Sequence, residues 1–110
     1  MVSTHRDVLN MLKTLNLPVA YHHFSSSQTL PFVVFIETGT DNYYAENTVY
    51  AEIKNYDIEL YFKTKDPLLE KRIERVLIDH GLTWESSQDT WLESENAYQK
   101  IYEIGVNING

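Results

Sequence analysis

No cysteine occurs anywhere in the chain. That removes disulfides, thiolate chemistry and cysteine metal sites, and fits a reducing compartment. Glycine is scarce, four residues in 110, which leaves no loop able to cradle phosphates, and neither serine-rich stretch resembles a nucleophile elbow. Long apolar runs are missing too: no segment reaches the roughly 18 residues of a membrane span, and Met1 to Asp7 lacks the apolar core of a secretion signal. The expectation is a soluble intracellular product. Basic residues are outnumbered, 9 against 16 acids for a net charge of −7, so sequence-independent adhesion to nucleic acid through counterion release is not expected.

What is present is patterned. From Asn55 to Lys63 the chain alternates strictly, with Tyr56, Ile58, Leu60 and Phe62 on one face and Asn55, Asp57, Glu59, Tyr61 and Lys63 on the other. This is the period of a strand buried on one side. Asp66 then offers a side-chain cap and Pro67 fits the first helical position. Leu69, Ile73, Val76 and Leu77 follow at helical spacing, and Gly81 suits a left-handed terminus. One strand and one helix thus present matching apolar faces, and the core is expected between them.

In chain order, Thr4 and Asp7 form a variant capping box for a helix to about Leu15, ended before Pro18. Val19 to Phe24 reads as a short strand and Ser25 to Thr29 as a surface loop. Phe32 to Ile36 is apolar on both faces, which predicts a strand covered on both sides or placed at an interface. Thr38 to Thr48 reads as a loop at the tip of a long β-hairpin whose second strand starts near Val49. After a helix from Asp66 to His80, Leu82 to Glu85 reads as a strand, Ser86 to Asp89 as a turn, Thr90 to Glu95 as strand or loop, and Tyr98 to Ile108 as an amphipathic strand. The order αβββαββ places residues 1–110 in one α+β domain, a mixed and mostly antiparallel sheet with helices on one face. At this length such a chain buries on the order of 65% of its unfolded surface, enough to fold without a staple.

Reactive constellations are hard to find. His22 and His23 are adjacent, and strand neighbours point to opposite faces, so they are not expected to share a metal ion. Asp57 with Glu59, and Glu93 with Glu95, read as hydrated carboxylate pairs before they read as an acid and base. Glu52-Ile53-Lys54 formally matches half of a metal-dependent nuclease motif, with Asp41 as a conceivable missing acid. No catalytic residue, metal ligand or cofactor site is assigned. Tyrosine is abundant instead, eight residues, more than one small core needs, and tyrosine gives large contact area with a hydroxyl that tolerates water. Tyr43 and Tyr44 at the hairpin tip, with Tyr61 on the wet strand face, are interface candidates. Charge is also uneven: Lys63, Lys65, Lys71, Arg72 and Arg75 cluster, while from Asp79 onward Lys100 is the only cation among six acids. A chain so divided can meet copies of itself in complementary fashion.

The N-terminal helix, Leu30-Pro31-Phe32-Val33-Val34-Phe35, the Gly39-Thr40-Asp41-Asn42 turn with Ala45 and Asn47, Tyr56-Asp57-Ile58-Glu59-Leu60-Tyr61, the helix bearing Glu70, Ile73, Glu74 and Leu77, and the Trp91 to Tyr102 segment together resemble the small tail-completion, or head-tail joining, proteins of long-tailed phages and prophages. The resemblance covers nearly the whole chain and rests on residue classes more than on invariant groups. It implies a non-enzymatic virion component, present in the host cytoplasm during assembly, that can be monomeric in isolation and on assembly forms a ring, commonly hexameric, between head connector and tail tube. DNA would pass through that ring without specific binding, and no membrane would be involved. By the same analogy the Gly39 to Thr48 loop, with Asp41, Asn42, Tyr43, Tyr44, Glu46 and Asn47, would contact a neighbouring subunit or ring, and Lys71, Arg72 and Arg75 would face acids on the next copy. Two other classes stay open on the residues alone: an α+β adaptor that binds a protein partner through the same tyrosines, and a nuclease at Glu52-Ile53-Lys54.

Overall fold

The computed structural model describes Val2, residues 4–45 and residues 48–107. Thr4 caps the first helix, α1 (His5–Lys13): its hydroxyl accepts from the Asp7 amide at 3.3 Å, and the Asp7 carboxylate accepts from the Thr4 amide at 3.2 Å. Two otherwise orphaned donors are thereby satisfied, as the capping-box spacing predicts. The second helix, α2 (Pro67–Asp79), starts under the Asp66 side chain, which accepts from the Leu69 amide at 3.2 Å. It ends at Gly81, whose φ of +72° lets the Leu82 amide reach back to the Leu77 carbonyl at 2.9 Å. A side chain at Gly81 would strain that backbone.

Among the described residues six strands form one sheet: β1 (Val19–Tyr21), β2 (Phe32–Ala45), β3 (Thr48–Phe62), β4 (Trp84–Ser86), β5 (Thr90–Leu92) and β6 (Ala97–Asn107). Their order is β1-β2-β3-β6-β4, with β5 also on β6; the β1–β2 pair is parallel and the rest antiparallel. The fold is therefore α+β. Tyr56, Ile58, Leu60 and Phe62 of β3 share one buried face with Val33 and Phe35 of β2 and Tyr102, Ile104 and Val106 of β6. Val8, Met11, Leu12 and Leu15 of α1 and Leu69, Ile73 and Leu77 of α2 complete the same core. Both helices thus cover one face, and the alternation read from the sequence sets which side chains meet them.

Four expectations need correction. The stretch predicted as a loop from Thr38 is strand as far as Ala45, in register with β3 down to the Ala45–Thr48 pair. Its Thr, Asn, Asp and Gly content reads as a loop because neither face meets the core, yet ladder hydrogen bonds to β3 satisfy its backbone without burial. The strand predicted for Val19 to Phe24 stops at Tyr21, because His22 has a φ of 70°, outside the extended region. The ambiguous Thr90 to Glu95 piece divides into β5 and a 3-10 turn over Glu93–Glu95, adding one strand to the expected order. The strand expected from Leu82 begins at Trp84 and runs through Ser86. Ile108, the expected end of the last strand, lies outside the described residues.

Candidate functional site

β2 and β3 have 14 and 15 residues, far more than the helices cover. Among the described residues β6 accompanies β3 as far as the Ile53–Asn107 pair. Beyond that pair, among the described residues, β2 and β3 continue as a two-stranded arm, and the molecule measures 50 Å along its longest axis against 27 and 26 Å across. Register breaks occur between Glu37 and Gly39 and between Tyr43 and Tyr44. Such bulges turn a strand and increase its twist, which keeps a free edge from flat pairing.

The arm displays the tyrosines singled out in the sequence. Tyr43 is 54% exposed and Tyr44 63%. By alternation Asp41 and Tyr43 share one face, Asn42 and Tyr44 the other, and Glu52 stands opposite Asn42. The Asp41 carboxylate accepts from Asn55 Nδ2 at 2.9 Å, a cross-strand tie below the tip. Glu46 and Asn47, also named as interface candidates, lie outside the described residues. An isolated ribbon has few apolar contacts of its own; two neighbouring exposed aromatics at its end offer a partner about as much contact area as any surface side chain can.

Tyr61 sits elsewhere, at the end of β3 away from the arm, beside Phe32 and Gln99, on the sheet face that the helices leave open. Its ring stacks on Phe32 with centroids 5.0 Å apart, and Phe24 meets Phe32 edge-on at 5.2 Å. Its hydroxyl donates to Glu59 at 2.9 Å and accepts from Gln99 at 2.9 Å. Burial first, then the hydrogen bond to Glu59, pushes its pKa up to about 12. Residues of the 22–30 segment line a hollow with Val34, which is buried on this face, while Phe32 and Ile36 are half-buried, so the run is covered on both faces only in part.

The three basic candidates on α2 part company. The Arg72 guanidinium donates to the Leu15 carbonyl just past the end of α1, tying the two helices together. Lys71 and Arg75 point outward and make only loose ion pairs, at 4.0 Å to Glu74 and 3.9 Å to Asp79. Arg72→Ala is therefore expected to cost about 1.5–3 kcal/mol of stability, the range for a hydrogen bond that involves a charged group. Lys71→Ala should leave the urea midpoint where it is. Equal effects from the two would contradict this division.

Sequence reasoning missed an ion cluster under the same helix. Lys65 lies 2.7 Å from Glu70 and 2.9 Å from Asp89, and Lys100 stands 3.9 Å from each. Hydrogen bonds to Glu70 and then Asp89 hold the Lys65 pKa above its ordinary value. The buried Glu70 is thus paired, and the first turn of α2 is tied to β6 and to the turn before β5. Glu70 directly follows core residue Leu69, which was its only signal in the sequence.

On the open face, Asp57, Glu103 and Glu85 are direct cross-strand neighbours on β3, β6 and β4. Burial, then the Glu103 charge, holds the Asp57 pKa above the ordinary carboxylate value. The folded chain therefore binds that proton more tightly than the unfolded chain does. Ionised Asp57 costs stability above its folded pKa, and the cost disappears as pH falls through it. Asp57→Asn is expected to raise stability at pH 7 by about 0.5 kcal/mol, the scale of an opposed like-charge pair. The gain should vanish near about pH 3, below the ordinary carboxylate range. A gain that persists there would assign the effect to something other than charge.

The remaining motifs resolve plainly. The turn at His22 brings the Nδ1 atoms of His22 and His23 within 3.2 Å, so the two do not point apart as strand neighbours would. Among the described residues, though, no group of three or more His, Asp or Glu side chains is placed to hold a metal ion. Asp41 pairs with Ile53 and so stands on the ribbon face opposite Glu52 and Lys54, while Lys54 lies 3.6 Å from Glu37. Glu93 accepts from the Trp91 indole at 2.7 Å and leads the 3-10 turn, so it does not pair with Glu95 along a strand. No helix among the described residues is long and apolar enough to cross a membrane. Set against known proteins, the sequence matches no family model, and no curated protein matches it.

Proposed function

We propose that this chain is a non-enzymatic structural component of the head-tail junction of a long-tailed phage or prophage, assembling as a ring around the DNA channel and meeting the head connector and the tail tube. The observation that carries the reading is the arm: a two-stranded ribbon past the core, ending in exposed Tyr43 and Tyr44. A domain that acts alone gains nothing from such a projection, whereas a ring subunit needs a part that reaches its neighbour. The resemblance of nearly the whole chain to tail-completion proteins supports the same role.

The charge agrees. A net −7, with Asp57, Glu85 and Glu103 in one row on the open sheet face, suits a wall that repels phosphate and lets a duplex slide past. Removing the coding region from the phage tests the role. The expected result is filled heads and finished tails that do not join, with joining restored when the chain is supplied in trans. Normal virions from the deleted phage would overturn the reading.

A further inference from the structure

The turn at His22 removes the reason for treating the two adjacent histidines as separate. Neighbouring side chains of a strand leave opposite faces, but β1 stops at Tyr21 and His22 takes a φ of 70°. The His23 amide donates to the Tyr21 carbonyl at 2.8 Å, which closes a three-residue turn in its rarer, strained form. Strain of this kind persists only where the surroundings hold it. Here they hold it on both sides: the His22 amide donates to the Phe35 carbonyl at 2.8 Å, and the Tyr21 hydroxyl accepts from the Glu37 amide at 3.2 Å while its ring meets Phe35 edge-on at 5.1 Å.

The result is a preset pair of imidazoles. Their Nδ1 atoms stand 3.2 Å apart with the ring planes at 89°, and both residues are exposed. Two imidazole nitrogens on one tetrahedral zinc ion, each at about 2.0–2.1 Å from it, stand about 3.3 Å apart, so the spacing is that of two ligands of one ion. The same spacing suits an N–H···N hydrogen bond, in which one ring donates and the other accepts. An ion takes the place of that proton: the donor's hydrogen moves to its Nε2 through water, both Nδ1 lone pairs are freed, and the exposed rings tilt toward a common point. Among the described residues no third His, Asp or Glu completes a ligand set, so water fills the remaining positions. The pair borders an open hollow of about 700 Å³, lined also by Ser25, Ser26 and Glu95, with room for that water.

We infer that His22 and His23 hold one divalent transition-metal ion through their Nδ1 atoms, of the class that prefers imidazole: zinc, nickel or copper. Magnesium and calcium, which take oxygen ligands, do not suit the pair. Because the turn presets both rings, little ordering is lost on binding. Bound there, the ion clips the end of β1 to the start of the 22–30 segment, which lines the hollow beside Phe32 and Tyr61. The site stands apart from the head-tail reading and does not depend on it.

Calorimetric titration of the untagged chain with copper, nickel and zinc salts tests it. The expected result is one ion per chain with a dissociation constant of roughly 10 µM or tighter. Copper should bind tightest, in the general order of divalent affinities, and magnesium should not bind. His22→Asn, which keeps a residue tolerant of positive φ, and His23→Gln should each weaken copper binding at least about tenfold, the least that losing even a supporting partner of a ligand costs. His5→Gln, on α1, should leave the affinity unchanged. Thermal melts without metal establish that each variant folds. Electron paramagnetic resonance of the copper form should show two coordinated nitrogens in the parent chain and one in either variant. A parent chain that binds copper no more tightly than the double variant His22→Asn, His23→Gln would overturn the site, as would a one-nitrogen signal from the parent or an equal loss on replacing His5.

Discussion

Chains carrying Tyr43→Ser and Tyr44→Ser are expected to fold and melt like the parent yet to form no ring and join no heads to tails. Both tyrosines stand on the arm, past Asn107, the last described residue that pairs with β3, and both are more than half exposed. Surface substitutions of that kind change stability by no more than about 0.5 kcal/mol, which moves the melting temperature of a domain this size by less than about 4 °C. At an interface the arithmetic reverses. A tyrosine anchor contributes on the order of 2 kcal/mol, so losing two weakens each contact by about a thousand-fold. A large drop in melting temperature would instead assign these rings to the folded core.

The opposite pattern is expected at Tyr102. Its side chain is fully buried on β6, facing Phe35 and Ile58 across the sheet and α2 above it. Burial, followed by the neighbouring Glu74 charge, pushes its pKa far above the ordinary tyrosine value, so the hydroxyl stays protonated and donates to Glu74 at 3.4 Å. Tyr102→Ala should cost about 3–5 kcal/mol, the range for an aromatic truncated in a packed core. That is a large share of the roughly 5–15 kcal/mol that holds a small domain together, and the melting temperature should fall by about 15 °C or more. Tyr102→Phe keeps the ring and loses only a long hydrogen bond, so its cost should stay near about 1 kcal/mol or less. Similar losses from the two would mean the hydroxyl, not the ring, supports the core.

These two sites mark what the sequence could and could not reveal. Tyr102 was legible because a core imposes its period: one parity of β6 is apolar, and so are the facing parity of β3 and the i, i+4 positions of α2. Asp66, Pro67 and Gly81 were legible because a helix terminus has local chemical demands. The arm was legible only in part. Away from the core nothing selects apolar residues on either face, so Thr38 to Ala45 carries the composition of a loop while its backbone pairs as a strand. His22 deceived for the converse reason: a single residue with positive φ breaks the alternation that the flanking residues suggest. The Lys65, Glu70, Asp89 and Lys100 cluster joins positions far apart in sequence, and no periodicity carries such a tie. The outer side of α2 was half visible, since Lys71, Arg72 and Arg75 stood out as charge. That the Arg72 guanidinium reaches the end of α1 while Leu68 and Ile78 stay exposed follows only from how the helix is seated.

The account stands or falls on assembly. The most direct measurement is the mass of the complex formed by the purified chain, by native mass spectrometry, as its concentration is raised alone and then beside the phage head connector. The account predicts one closed multiple of the 110-residue chain, seated on the connector and absent from the Tyr43→Ser, Tyr44→Ser variant. A chain that remains single under both conditions, or one that builds the same complex without its tyrosines, would contradict it.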